Sequence, residues 1–147
     1  MIDQSQIGKV FSSHTFTVEA GRLACFARAI GETNPHYSDE ATAIAAGFPA
    51  LPVPPTFLAC LEMSTPNPMG WFDEIGAELA RILHGEQSFR YHKMAFAGDR
   101  LKFEKQLTDI YSKKGGALEF IVVKTTVTNQ HGELVAELQA TVIQRNG

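Results

Sequence analysis

The feature that most narrows the fold is the separation of two hydrophobic periods along the chain. Helical spacing fills the first half, and strict alternation takes over from His84 onward. Residues His84 to Met94 alternate, Leu101 to Tyr111 sets Leu101, Phe103, Leu107 and Tyr111 on one face, and Leu118 to Thr128 is dense in β-branched residues. The turn Asn129-Gln130-His131-Gly132 leads into Glu133 to Arg145, where Leu134, Ala136, Leu138, Ala140 and Val142 share a face. Short helices followed by three or four antiparallel strands predict an α+β layer, with a sheet laid against helical cover.

The helical half is punctuated by recognisable stops. Thr17 is placed to cap a helix whose apolar residues Leu23, Phe26, Ala27 and Ile30 form one stripe, and Gly31 suits the left-handed position that ends it. A polar loop, Glu32 to Tyr37, follows. Ser38 as cap, Asp39 and Glu40 at the dipole-positive end, and Gly47 as terminator predict a second short helix. The prolines at 49, 52, 54 and 55 then force an extended path and favour a helix starting at or just after Pro55. Thr56 to Met63 is apolar nearly all round, which predicts a buried helix. Between Ser64 and Leu83, Pro66, Pro68, Gly70 and Gly76 break the periodicity, while Trp71, Phe72, Ile75 and Leu79 offer apolar anchors to a loop with a helical turn or more.

Composition excludes several function classes. A length of 147 residues suits one domain spanning 1–147, and 44% hydrophobic residues with ten Phe supply a packed core. A net charge of -3 without a basic stripe argues against nucleic acid. No charged leader followed by an apolar run opens the chain, and no apolar stretch reaches the roughly 18 residues of a membrane span, so the expectation is a soluble, cytoplasmic protein. Cys25 and Cys60 stand in apolar contexts outside any CxxC pattern and are read as buried free thiols. The five histidines have no ligand-like spacing, so neither a metal nor another cofactor is expected.

Four segments carry a resemblance. They are AIGETNPHYSDEATAIAAGF, then VPPTFL, then LHGEQSFRYHKMAFAGDRL, and last the hairpin VTNQHGELVAELQATV. Together, and in this order, they resemble the MaoC-like hydratases and dehydratases, in the branch called MaoC N-terminal or FAS1-like dehydratase domain. The resemblance implies a hotdog fold, in which a curved antiparallel sheet wraps a central helix, here Thr56 to Met63. It also implies a dimer joined sheet edge to sheet edge, either of identical chains or with another MaoC-like chain. The implied substrate is an acyl thioester on coenzyme A or acyl carrier protein, hydrated at a trans-2-enoyl group or dehydrated from the 3-hydroxyacyl form.

That chemistry needs a group to activate water, a group to exchange a proton at the adjacent carbon, and donors for the thioester oxygen. In the family an Asp and a His supply the first two from a loop patterned GDxNPxHxD. Here Glu32 stands at the Asp position, Tyr37 at the His position, and a histidine comes one residue early as His36. In an extended segment, one residue displaces a side chain by about 3.3 Å and turns it to the other side. Glu32, His36 and Tyr37 are therefore the candidate catalytic groups, with Asn34 shaping the loop. At the start of the central helix the family's glycine is replaced by Pro55, which has no N–H to donate. Thr56 is left as the donor.

His84 and Gln87, in the LHGEQ stretch the branch shares, are candidate substrate contacts, and alternation sets His84 on the same strand face as Glu86. The plainer readings are an exposed helix-end carboxylate for Glu32, a loop donor for His36 and a packing residue for Tyr37. Glu62, an acid at the far end of the central helix, leaves a thioesterase as the lesser alternative. Two functions compete: an (R)-specific enoyl-thioester hydratase complete in itself, and a non-catalytic substrate-binding half whose partner carries the Asp and His.

Overall fold

The computed structural model describes residues 1–146. Five strands form one antiparallel sheet in the order β1-β3-β4-β5-β2, with β1 His14–Thr17, β2 Ile82–Tyr91, β3 Arg100–Lys113, β4 Leu118–Thr128 and β5 Leu134–Arg145. The last three are consecutive neighbours, as tight turns require, whereas β1 and β2 add to opposite edges. Among the described residues, all α-helices belong to the segment between β1 and β2. They are α1 Ala20–Ala29, α2 Glu40–Ala45, α3 Phe57–Glu62 and α4 Gly70–Glu74.

The inner face of the sheet carries two apolar clusters. Phe57, Leu58 and Leu61 of α3 pack with Leu101, Phe103, Val127 and Leu138, and Leu23 of α1 joins them. Trp71 and Phe72 of α4 and the following Ile75 pack with Leu107, Ile110, Ile121 and Val142, closed by Ile2 and Phe11 from the N-terminus. Full burial of a Leu such as Leu58 or Leu61 contributes about 1.5–3 kcal/mol each. Thus α3 occupies the central position expected of Thr56 to Met63, with those two residues as its caps. It is not buried all round, because Cys60 and Met63 are exposed.

Several expectations give way to tertiary structure. Thr17 does not cap α1: it ends β1, paired with Arg100, and the helix begins after Glu19 without a side-chain cap. Asp39, not Ser38, caps α2, accepting the Thr42 N–H at 2.8 Å. Both helices do end at their glycines. Gly31 and Gly47 take φ of 73° and 94°, and the N–H groups of Glu32 and Phe48 reach back to Ala27 and Ala43. Ile30 at 53% and Leu79 at 52% exposure lie outside the core, and Cys25 is exposed like Cys60.

The extended proline segment is held by Val53 N–H to Ala95 O and Ala97 N–H to Leu51 O, both short. In β3 a bulge after Leu107 shifts the inward period by one. Ile110 therefore faces the core in place of Tyr111, whose ring stacks outside on Phe120 at 4.8 Å. A similar irregularity at the start of β5 buries Val135 and leaves Leu134 exposed.

Candidate active site

The polar loop is built by its own side chains. After the α1 terminator, the Glu32 carboxylate accepts the Asn34 N–H at 2.8 Å, and the Asn34 side-chain oxygen accepts the His36 N–H at 3.1 Å. Pro35 presets its own φ at the first position, so Pro35–Tyr37 winds into a 3₁₀ turn instead of the extended segment expected. Neighbouring side chains then diverge by a third of a turn. The His36 ring meets Phe48 edge-on at 5.7 Å, while Tyr37 lines a cavity of about 320 Å³ with Val53, Pro55, Leu58 and Tyr91. The structure thus ties Glu32, Asn34 and His36 together through backbone groups. Among the described residues, no hydrogen bond joins the Glu32 carboxylate to the His36 imidazole.

At the same cavity the start of α3 is unusual. Thr56 takes φ 71°, ψ -12°, a left-handed conformation rare for a β-branched residue. Its N–H donates to the Tyr91 hydroxyl at 2.9 Å. The Thr56 N–H, the donor expected in place of Pro55, is thus engaged by Tyr91 at the end of β2.

A second cavity of about 430 Å³ opens between the inner sheet face and the α3–α4 region, walled by Phe72, Ile82, Leu138, Ala140 and Val142. His84 and Gln87 line it, but Glu86 does not share their face. A bulge at Gly85 pairs His84 with Val142, Glu86 with Thr141 and Gln87 with Ala140. The extra residue turns Glu86 to the opposite side and restores Gln87 to the side of His84. The bulge needs its glycine, since a Cβ at 85 would lie 2.9 Å from the Thr141 carbonyl oxygen.

Glu62 also reaches this cavity, and with it come residues that sequence reasoning passed over. Its carboxylate accepts the Thr125 hydroxyl at 2.6 Å and pairs with Lys105 Nζ at 3.2 Å, both charged side chains being 18% exposed. Lys105 and Thr125 are direct cross-strand partners. Each interrupts an apolar inward stripe, Leu101-Phe103-Lys105-Leu107 and Ile121-Val123-Thr125-Val127, and that interruption was the signal available. Tyr91 gave none, because its partner is set by the α3 backbone.

Of the other titratable groups, Glu137 lies outside this site. Lys124 and then His92 hold its carboxyl down to about 2, the imidazole contributing a contact of 2.8 Å. Among the described residues, no three His, Cys, Asp or Glu side chains gather as a metal set. No helix of the described residues is long and apolar enough to cross a membrane.

The family model described as FAS1-like, dehydratase domain region matches residues 5–138. The chain belongs to that family. A UPF0336 protein of Saccharopolyspora erythraea is 34% identical over 146 residues, covering 98% of this chain and 92% of the relative. Among solved structures, a chain of the truncated HadBC (3R-hydroxyacyl-ACP dehydratase) complex of Mycobacterium tuberculosis is 26% identical with a TM-score of 0.78, covering 93% of this chain and 96% of that one. A MaoC-like dehydratase reaches a TM-score of 0.84 at 27% identity, over 96% of this chain and 42% of that one. The α+β architecture is the hotdog fold of the MaoC-like dehydratases, and the family is one of hydratases and dehydratases.

Proposed function

We propose that the chain serves the (R)-specific hydration of a trans-2-enoyl thioester, or its reversal, with the acyl group in the 430 Å³ cavity. Water's oxygen bonds to the β-carbon, a general base takes one water proton, and a proton is delivered to the α-carbon. Negative charge passes through the thioester oxygen and is relieved there by hydrogen-bond donors. The observation that carries the reading is a largely apolar cavity beside α3 whose lining includes the polar groups of His84 and Gln87, in a member of a hydratase and dehydratase family. Tyr37, the last residue of the polar loop, lines the 320 Å³ cavity with Tyr91, whose hydroxyl accepts the Thr56 N–H. The carrier is coenzyme A or acyl carrier protein.

The loop itself favours a division of labour. Glu32 bonds its own backbone turn, and His36 packs on Phe48. The acid–base pair is then supplied by a second MaoC-like chain, and this chain contributes the acyl cavity. HadBC, whose name describes a complex, is similar to this chain in fold and sequence.

Steady-state hydration of short and medium trans-2-enoyl-CoA by the purified chain separates the readings, with Glu32→Gln assayed beside it. Turnover that the variant lowers about a hundredfold, as expected of a general acid–base group, assigns catalysis to this chain. Turnover indifferent to Glu32→Gln keeps the activity and removes the loop from it. A folded chain that binds acyl-CoA but turns over only with a second MaoC-like chain establishes the divided site, and one that binds no acyl thioester refutes the proposal.

A further inference from the structure

The acyl cavity does not end on an apolar wall. Beyond it lies another cavity of about 400 Å³, bordered by Phe11, His14, Asn67 and Phe103, and the two share three lining residues: Glu62, Lys105 and Trp71. Lys105 links the other two. Lys105 Nζ is 3.2 Å from the Glu62 carboxylate and 5.0 Å from the Trp71 ring centre, over its face. Glu62 is further fixed by the Thr125 hydroxyl at 2.6 Å. A partition of one ion pair and one indole therefore separates two spaces of similar size.

An ion pair is a poor neighbour for the end of an alkyl chain. Packing methylenes against Glu62 and Lys105 would displace water from charged groups without replacing its hydrogen bonds, a cost that grows as more of the pair is covered. Yet none of the three is locked into the backbone. Lys105 and Glu62 are long side chains that keep 18% exposure, so they have room to swing and solvent to swing toward.

We propose that Glu62, Lys105 and Trp71 set the acyl-chain length this protein accepts. Closed, the partition is the floor of the acyl cavity. Displaced, it joins the two cavities into one channel that admits a longer chain. This rests on the acyl-thioester reading above and adds specificity-determining residues to it. The acyl chain is common to coenzyme A and carrier-protein thioesters, so the inference holds for either.

The test uses the full chain and a saturated acyl-CoA series from butanoyl to hexadecanoyl, with binding measured by calorimetry. Each newly buried methylene should tighten binding about fourfold, equivalent to about 0.8 kcal/mol, until the floor is reached and the gain stops. In the double variant Glu62→Gln, Lys105→Met, which keeps side-chain volume and the acceptor for Thr125, the gain should continue to longer chains. The same series on acyl carrier protein should break at the same length, and the tighter set identifies the carrier.

Trp71 is the only tryptophan of the chain, which provides a readout that needs no variant. A bromine on the terminal carbon of the acyl chain quenches indole fluorescence on contact, so quenching should appear first at the chain length where affinity stops rising. If affinity climbs alike in wild type and double variant, or if thioesters bind and no terminal bromine quenches Trp71, the partition has no such role while the acyl-thioester reading stands. If calorimetry detects no acyl thioester of any length on either carrier, both fall together.

Discussion

Thr56 combines a left-handed backbone with a β-branched side chain that makes no capping hydrogen bond. Such a conformation costs about 1–2 kcal/mol for an L-residue with a Cβ. Thr56→Gly should therefore stabilise the protein by about 1 kcal/mol after the greater freedom of glycine in the unfolded chain is subtracted. At this chain size that raises Tm by about 3 °C; a lower Tm in calorimetry would mean the threonine side chain contributes contacts that outweigh its strain. Nothing in Pro54-Pro55-Thr56 announces a positive φ, because local preference reads the same residues as an ordinary helix entry. The conformation is imposed by the proline segment before it and by Tyr91, which is 35 positions away in sequence.

Glu137 offers a residue-scale test in pH. Its carboxyl is lowered from the usual 4.5 to about 2 by Lys124 and, next, His92. A depressed carboxyl stabilises the folded state fully above its unfolded value and loses that contribution as pH falls through its folded value. The stability gap between wild type and Glu137→Gln should hold steady above pH 4.5 and close progressively toward pH 2. Denaturant unfolding across that window measures it, and a gap unchanged throughout would show that the carboxylate gains nothing from its partners.

At the scale of elements, bulges decide which residues reach the cavity. A bulge advances the side-chain period by one residue without altering composition, so strict alternation projects it wrongly. This is why His84 and Glu86 looked like a pair, and why Tyr111 replaced Ile110 in the expected core face of β3. By contrast β4 was legible from end to end as Leu118–Thr128, because its own inward and outward positions alternate without interruption, the extra residues falling on its partners β3 and β5. Gly85 was a readable hint, since an isolated glycine within a strand pattern often marks a bulge. Gly85→Ala should destabilise the protein by about 1–3 kcal/mol through overpacking, as the new methyl meets the Thr141 carbonyl oxygen and Ile143. It should also weaken acyl-CoA binding, because the strand shift that relieves the clash separates His84 from Gln87. An alanine variant with wild-type stability and affinity would show that the bulge has slack and does not set the cavity wall.

For the molecule as a whole, local periodicity specifies strands but not their neighbours, and the family motifs implied a curved antiparallel sheet around a central helix without its strand order, which the structure supplies. That order leaves β2 with one edge unpaired. Its ten residues are mostly exposed, in contrast with β4, where inward and outward positions differ sharply. A long regular edge in water is a pairing template, and natural sheets shorten, charge or cover such edges. The other edge is protected by brevity, since β1 has four residues. We therefore expect β2 to be covered by a second hotdog chain in an edge-to-edge pair. If that chain is a copy, light scattering should give twice 16.1 kDa, and the β2 amides that point away from β5 should exchange hydrogen slowly, faster on dilution. If it is a different MaoC-like chain, the protein alone should run as a monomer whose outward β2 amides exchange quickly, and mixing should slow those amides selectively. Protection that appears elsewhere on the sheet, with the β2 edge exchanging freely in the assembled state, would remove the edge pair and require the partner to approach by another face.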